Sequence, residues 1–271
     1  MEKIAAITGA SSGIGLATAM LLAEKGWMVY ALSRSGKSKQ EHIVSPNIIH
    51  LKADVNEKYT LDSALNHILA QHKQIDVLVC NAGNGIAGAI EDTSTEEASY
   101  QFQTSFFGVH NTVCTFLPQM RQQKRGKIII ISSVAGFVPI PFQAFYAAAK
   151  SALLSYAKSL SMEIKPFGLQ CCAILPGDTK TLFTSNRIIV QRAKLSNSPY
   201  VDRMAHSIRK MEEDEQNGIA AEVIAQCIVK QIQQKRMAPV TVPCVQYKLI
   251  AFLMRLLPNR PALYLIGRLY A

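Results

Sequence analysis

The sequence predicts a three-layer α/β/α fold in which helices cover both faces of a doubly wound, parallel sheet of seven strands. Three observations predict it. Short apolar runs alternate with stretches of helical apolar spacing along most of the 271 residues, the pattern of parallel strands joined by crossover helices. A glycine-rich turn, Gly9-Ala10-Ser11-Ser12-Gly13-Ile14-Gly15, separates the first apolar run from the first helical one. Thr8, Arg34, Asp54, Asn81, Ser133 and Pro176 each stand at or just after the end of an apolar run. Open parallel sheets bind ligands outside the carboxyl ends of their strands, so these positions converge on one edge.

Lys3-Ile4-Ala5-Ala6-Ile7-Thr8 suits a strand buried on both faces. Leu16 to Gly26 has helical spacing and ends on a glycine able to cap a helix C-terminus. Strand, glycine turn, helix is the order that lets backbone approach a pyrophosphate at a helix N-terminus. The spacing is Gly-x-x-x-Gly-x-Gly, which an ordinary tight turn would also accommodate. Counting the first at 3–8, strands are expected near 27–33, 47–51, 75–80, 126–132, 169–175 and 238–242. Helices are expected near 13–25, 57–73, 96–122, 145–165 and 219–235.

A hydrophobic content of 49% is enough for one large core. No linker, repeat or low-complexity tract interrupts the chain, so one domain is expected over residues 1–271. With a strand starting at residue 3, no secretory or transit segment is expected. The six cysteines (80, 114, 171, 172, 227 and 244) lack metal-ligand spacing. Reduced structural thiols, no metal and a cytoplasmic setting are the expectation.

Tyr146-Ala147-Ala148-Ala149-Lys150 places a phenol and an ammonium on one helix face, since residues i and i+4 lie one above the other. A free Tyr, with a pKa of about 10, is a poor base near neutrality. A nearby positive charge favours its phenolate, so a Tyr–Lys pair can move a proton where a lone Tyr does so badly. The same spacing also occurs on solvated helix faces with no chemistry.

Thr8-Gly9-Ala10-Ser11-Ser12-Gly13-Ile14-Gly15 and Tyr146-x-x-x-Lys150 together resemble the short-chain dehydrogenase/reductase family. Asp54-Val55, Asn81-Ala82-Gly83, Ile131-Ser132-Ser133 and Pro176-Gly177 match further motifs, in the family's order, over residues 3–181. The resemblance implies a Rossmann fold and a nicotinamide cofactor. It places Gly9, Ser11, Ser12, Gly13, Ile14 and Gly15 at the phosphates, Asp54 at the adenine amino group, Val55 against the ring, and Asn81, Ala82 and Gly83 beside a ribose. Pro176, Gly177, Thr179 and Thr181 would hold the carboxamide. Thr179 replaces the family's usual aliphatic residue there.

The second strand ends Leu32-Ser33-Arg34. An NAD enzyme places a carboxylate here to accept from the ribose hydroxyls; Ser33 takes that place and does not repel a 2′-phosphate. Arg34 can grip a phosphate with its forked guanidinium, and Lys37 and Lys39 add positive field. NADP(H) is the expected cofactor; a merely solvated basic loop is the alternative.

Ser133 lies 13 residues before Tyr146, the spacing of the family's catalytic serine. By resemblance, Ser133 would hydrogen-bond the substrate carbonyl, Tyr146 would exchange its proton, and Lys150 would lower the Tyr146 pKa and bind the nicotinamide ribose. Ser132 is expected to be structural. Thr104-Ser105-Phe106-Phe107-Gly108 stands where similar sequences read Val-Asn-x-x-Gly. Ser105 therefore replaces an Asn that braces a helix distortion and holds a relay water, and it is a candidate catalytic residue with a shorter reach.

Residues 182–217 lack a clear strand and correspond to the family's substrate lid, with Phe183 as a candidate substrate contact. Phe142 and its apolar neighbours between Ser133 and Tyr146 are expected to line the opposite wall, although they would also serve as core or as a subunit interface. An apolar pocket with few polar anchors suits a small hydrophobic ketone or secondary alcohol, steroid-, retinoid- or lipid-like. Pro141 to Tyr146 and Lys165-Pro166-Phe167-Gly168 look similar to hydroxysteroid and retinol dehydrogenases. A 3-oxoacyl-type reductase and a non-catalytic NADPH-binding regulator are the alternatives. The family's habit implies a homodimer or homotetramer.

The net charge is +10, and after Glu222 there are seven Lys/Arg and no Asp or Glu. The basic, apolar extension at 243–271 is too short in its apolar run to span a bilayer. It would either pack over the lid or lie on an anionic membrane surface. The charge is diffuse and accompanies no recognition motif, so no nucleic-acid partner is expected.

Overall fold

The computed structural model describes residues 2–40, 45–195 and 198–270. Strands β1 (Ile4–Thr8), β2 (Met28–Ser33), β3 (Ile48–Lys52), β4 (Val77–Cys80), β5 (Gly126–Ile131), β6 (Leu169–Ile174) and β7 (Val240–Thr241) form one sheet. Their order is β7-β6-β5-β4-β1-β2-β3, and every neighbouring pair is parallel. Strand order reverses between β1 and β4, and a crevice opens at such a switch point.

The apolar runs are continuous because both sheet faces are covered. Ile4, Ala6, Leu78, Ile128 and Ile130 pack into one core layer, while Ala5, Ile7, Val77, Ile129 and Ile131 pack into the other. Period-two alternation thus separates apolar from apolar, not apolar from polar. Helices α1 (Gly13–Glu24) and α7 (Ala221–Gln233) cover the second layer, while α2 (Lys58–Gln71), α4 (Gly108–Gln122) and α5 (Ala144–Glu163) cover the first.

Two expected elements are corrected. The helix expected over 96–122 is broken into α3 (Thr95–Phe102) and α4 by a π-helical turn, Gln103–Phe107. Such turns are rare and concentrate at functional sites. The expected lid, which the sequence left without a clear strand, carries a full helix, α6 (Val201–Gln216), and a two-residue strand at Ile188–Ile189, and a second short strand, Thr179–Lys180, precedes it. Positions 196 and 197 of that lid, and Ala271 of the tail, lie outside the described residues. The tail forms two helices, α8 (Val245–Leu256) and α9 (Asn259–Tyr270), hinged at Pro258. Among the described residues no helix is long and apolar enough to cross a membrane.

The six cysteines are free, as the sequence suggested. Burial pushes the thiols of Cys80 and Cys171 up, and that of Cys172 to about 12, which makes them poor nucleophiles.

Candidate active site

A cavity of about 730 Å³ follows the carboxyl ends of the strands and receives nearly all the residues singled out above. At its base, Gly9 (φ +65°) and Gly13 (φ +55°) hold left-handed conformations that favour glycine. A Cβ on Gly9 would stand 2.8 Å from the Ala82 Cα, and one on Gly13 3.3 Å from the Thr181 side chain. Gly15 lies behind the cavity wall; a Cβ there would come within 2.5 Å of Asn81 Nδ2 and the Gly9 carbonyl oxygen, so this glycine serves close packing.

Helix α1 starts at Gly13 with neither a side-chain cap nor an acidic residue in its first turn. Its leading N–H groups and the positive end of its dipole remain available to an anion at Ser11, Ser12 and Ile14, all of which line the cavity. Asn81 pins this loop to β4. Its Nδ2 donates to the carbonyls of Thr8 (3.0 Å) and Gly9 (3.1 Å), while its own N–H and that of Ala82 donate to Thr8 Oγ1. Asn81, Ala82 and Gly83 are cavity wall as well.

The far end is basic. Ser33 is buried and its Oγ accepts the Gly36 N–H at 3.2 Å. Arg34 and Lys39 line the cavity, and the Lys39 N–H donates to the Ser11 carbonyl at 2.9 Å, which ties the basic loop to the glycine turn. Lys37, expected to join them, is exposed and lies off the wall. Asp54 and Val55 close the side of this end, with the Val55 carbonyl held by Asn111 Nδ2 at 3.0 Å. An open helix N-terminus, glycines whose Cβ would collide, and a carboxylate beside an apolar slot fit a dinucleotide with its pyrophosphate at Gly13.

Ser133, Tyr146 and Lys150 come together in the middle. Lys150 is only 5% exposed; its Nζ donates to the Ile131 carbonyl at 3.0 Å and sits 5.8 Å from the Tyr146 ring centre. Ser133 Oγ accepts the Ala135 N–H at 3.1 Å and donates to the Pro176 carbonyl at 3.4 Å. Ser132 is structural as expected, buried with its hydroxyl on the Lys150 carbonyl at 2.7 Å.

The electrostatics correct one expectation. Burial pushes the Tyr146 phenol up to about 12; Ser133 and Arg187 pull it down, while Glu215 and Asp178 push it further up. Burial pushes the Lys150 ammonium down to about 8. Lys150 was expected to hold the phenol below its ordinary value. Here enclosure penalises both charged forms, and the lysine is turned to the Ile131 carbonyl.

Ser105 is fully buried in the π-helical turn. It accepts from Gln101 Nε2 at 2.7 Å and donates to Asn84 Oδ1 at 2.9 Å. Gly83 lies between it and Lys150: a Cβ there would be 3.6 Å from Lys150 Nζ and 3.8 Å from Ser105 Oγ. Ser105 thus stands behind the wall at the lysine, and Asn84 presents the polar surface to the cavity. Sequence reasoning missed Asn84 and Gln101. The available signals were an Asn directly after Asn81-Ala82-Gly83 and a Gln on the helical face of Ser105.

On the opposite side, Pro176, Gly177, Thr179 and Thr181 line the cavity, with the Thr181 Oγ1 accepting the Phe183 N–H at 3.2 Å. Phe183 is where it was expected, its ring 5.4 Å from that of Tyr146. Phe142 is a correction. It adopts φ +64° and packs with Val190, Met204 and Ile208 in a small core under the lid, off the cavity wall, while Val138 and Ile140 take the wall.

A polar cluster escaped the sequence reading altogether. Arg187, its side chain 2% exposed, is ion-paired with Glu215, which also accepts from Thr184 Oγ1 at 2.6 Å. The Tyr247 hydroxyl donates to Asp178 Oδ2 at 2.7 Å, and its ring covers Gly177. Asp178, Glu215 and Tyr247 all line the cavity. The tail therefore packs over the site: Tyr247, Ile250, Met254, Leu265 and Leu269 line it, and the Tyr270 hydroxyl holds Asp214 on α6 at 3.1 Å.

The family model described as short chain dehydrogenase matches residues 3–189. The chain is 40% identical over 233 residues to 3-ketodihydrosphingosine reductase of Bacteroides thetaiotaomicron, covering 86% of this chain and 84% of that protein. Its fold matches ElxO with NADP bound (TM-score 0.75, 22% identity, 92% of this chain and 100% of that one). It also matches a Burkholderia phymatum short-chain dehydrogenase/reductase in complex with NAD (TM-score 0.78, 21% identity, 93% and 92%).

Proposed function

The chain belongs to the short-chain dehydrogenase/reductase family, and from that membership we propose that it reduces a long-chain lipid ketone to a secondary alcohol with NADPH. As a member it is an oxidoreductase of CH–OH and C=O groups that uses a nicotinamide cofactor. The observation that carries the substrate reading is the wall facing Tyr146. Val138, Ile140, Phe183, Ile250, Met254 and Leu265 make it apolar, and Asp178 and Glu215 supply carboxylates on that side. Such a wall takes an alkyl chain, and Asp178, the carboxylate there that is not ion-paired to Arg187, gives a favourable field to an ammonium near the carbonyl. The Bacteroides relative is named for a ketone of this kind.

When bound, the nicotinamide supplies the hydride. On this reading the Ser133 hydroxyl turns from the Pro176 carbonyl to the substrate oxygen, and Tyr146 gives that oxygen its proton. Lys150 holds the ribose hydroxyls and resupplies the proton, with Asn84, braced by Ser105 and Gln101, beside it. Pro176, Gly177, Thr179 and Thr181 hold the carboxamide. By the family's habit the protein works as a homodimer or homotetramer, in the cytoplasmic setting that reduced thiols suit.

The substrate reading predicts NADPH oxidation with long-chain 3-keto amines and 3-keto lipids, weaker oxidation with 3-oxoacyl thioesters, and little with retinal or ketosteroids. A preference for the thioesters would favour the 3-oxoacyl-type alternative. NADPH binding without oxidation of any ketone would favour the regulator.

The choice of NADP(H) rests on Ser33, Arg34 and Lys39. Arg34→Ala is expected to weaken NADPH binding by about 10-fold, the size of one exposed charge-assisted contact, and to leave NADH affinity unchanged. Titration of both cofactors by fluorescence checks it; an unchanged affinity ratio refutes the assignment.

A further inference from the structure

Helices α8 and α9 have two apolar faces each, and only one of them is used by the fold. The inner faces close the cavity: Tyr247, Ile250 and Met254 recur at helical spacing along α8, and Ala262 and Ile266 of α9 are buried. Among the described residues the outer faces are largely exposed. On α8, Leu249, Phe252, Leu253 and Leu256 form a stripe at i, i+3, i+4 and i+7, with Leu256 66% exposed; on α9, Tyr264 is 67% exposed. A contiguous apolar surface of this kind marks an interaction site.

Three features of the two helices identify its occupant. The first is charge. The chain after Glu222 has no Asp or Glu, and Lys248, Arg260 and Arg268 are exposed on the two helices. Two copies of this face meeting symmetrically would bring basic surface against basic surface, whereas an anionic surface complements it. The second is length. Each helix has 12 residues, a rise of about 18 Å, which lies along a bilayer and does not cross it. The third is continuity. Ile250, Leu265 and Leu269 are both exposed and part of the cavity wall, as is Leu182 across the mouth. The outer patch and the cavity wall therefore share apolar residues.

We propose that α8 and α9 form a monotopic docking surface for an anionic lipid bilayer, and that substrate enters the cavity from the bilayer past Ile250, Leu265 and Leu269. The docking half stands on the surface alone; the entry half rests on the lipid-ketone reading. The Tyr247–Asp178 and Tyr270–Asp214 hydrogen bonds fix the two helices to the site, so docking also orients the mouth toward the acyl chains.

The test uses the full chain with phosphatidylcholine vesicles and with vesicles that also contain phosphatidylglycerol. The protein is expected to float with the anionic vesicles, less so in high salt. The doubly substituted Phe252→Glu/Leu256→Glu chain, altered only on the outer face, is expected to lose at least tenfold in bound fraction. It should keep its melting temperature and its rate on a short-chain, water-soluble ketone, and lose rate only on a long-chain ketone embedded in vesicles. Absence of wild-type flotation overturns docking, whatever the activity, and a wild-type dimer dissolved by the two substitutions would then assign the face to a second copy. Flotation with equal loss on soluble and embedded ketones overturns entry from the bilayer. Flotation with no lipid ketone reduced leaves docking standing and refutes the functional reading instead.

Discussion

Tyr146→Phe is expected to lower turnover by about 10²- to 10⁴-fold, the range that a positioned general acid contributes, with NADPH affinity unchanged within twofold. The reason lies in where the hydroxyl stands. Its ring is fixed by Phe183 at 5.4 Å and by Lys150, whose Nζ is 5.8 Å from the ring centre, and neither contact needs the hydroxyl. The dinucleotide end of the cavity, from Gly9 to Arg34, is built from other elements. Removing one oxygen therefore removes the proton and little else. Burial holds the phenol up to about 12, so Tyr146 stays protonated and competent as a donor over the working range. The titration seen in reduction is expected to belong to Lys150, pushed down to about 8 by burial, and to lower the rate as pH rises through that value. Single-turnover NADPH oxidation and fluorescence titration of the variant check both statements. Undiminished single-turnover rates would sink the role assigned to Tyr146.

Much of this site was legible because its chemistry is local in the chain. The glycine turn and the Tyr-x-x-x-Lys pair each lie within one element or one junction. β5 reads Gly-Lys-Ile-Ile-Ile-Ile because Ile128 and Ile130 serve one core layer while Ile129 and Ile131 serve the other, and that need writes a continuous apolar run. What escaped was set by distance in sequence. Arg187 and Glu215 are 28 residues apart, and Tyr247 and Asp178 are 69, so no window along the chain brings either pair together. Phe142 was misplaced for a different reason. Its φ of +64° turns it out of the order of its neighbours, and the Gly88 N–H holds its carbonyl at 2.9 Å. In the tail, composition announced an apolar basic segment, but only the packing of Tyr247 and Tyr270 decides which face is spent on the cavity.

Lys150→Met is expected to abolish most activity and yet to stabilise the cofactor-free protein at pH 7. Lys150 is buried at 5% exposure, and burial lowers its pKa from 10.5 to about 8. A displacement of that size corresponds to about 3 kcal/mol of cost for the charged form. Below pH 8 both folded and unfolded states hold the proton, so the whole cost is present there. Between pH 8 and 10.5 the folded lysine has lost its proton while the unfolded one keeps it, and the stability of the wild-type chain rises with pH. Methionine fills a similar volume without charge, but it leaves the Ile131 carbonyl without its 3.0 Å donor, at about 1 kcal/mol. The variant should therefore gain roughly 1–2 kcal/mol at pH 7, and the advantage should vanish near pH 9.5, where the wild-type chain has recovered about 2 kcal/mol. Tyr146 is present in both chains and Lys150 is not among the groups that shift its phenol, so its own titration cancels in the comparison. Urea unfolding of the two proteins at pH 7 and 9.5 measures it. A difference independent of pH would mean that the lysine is not held against its charge. A wild-type chain more stable than the variant at pH 7 would mean that the charge belongs to the fold and not to the reaction.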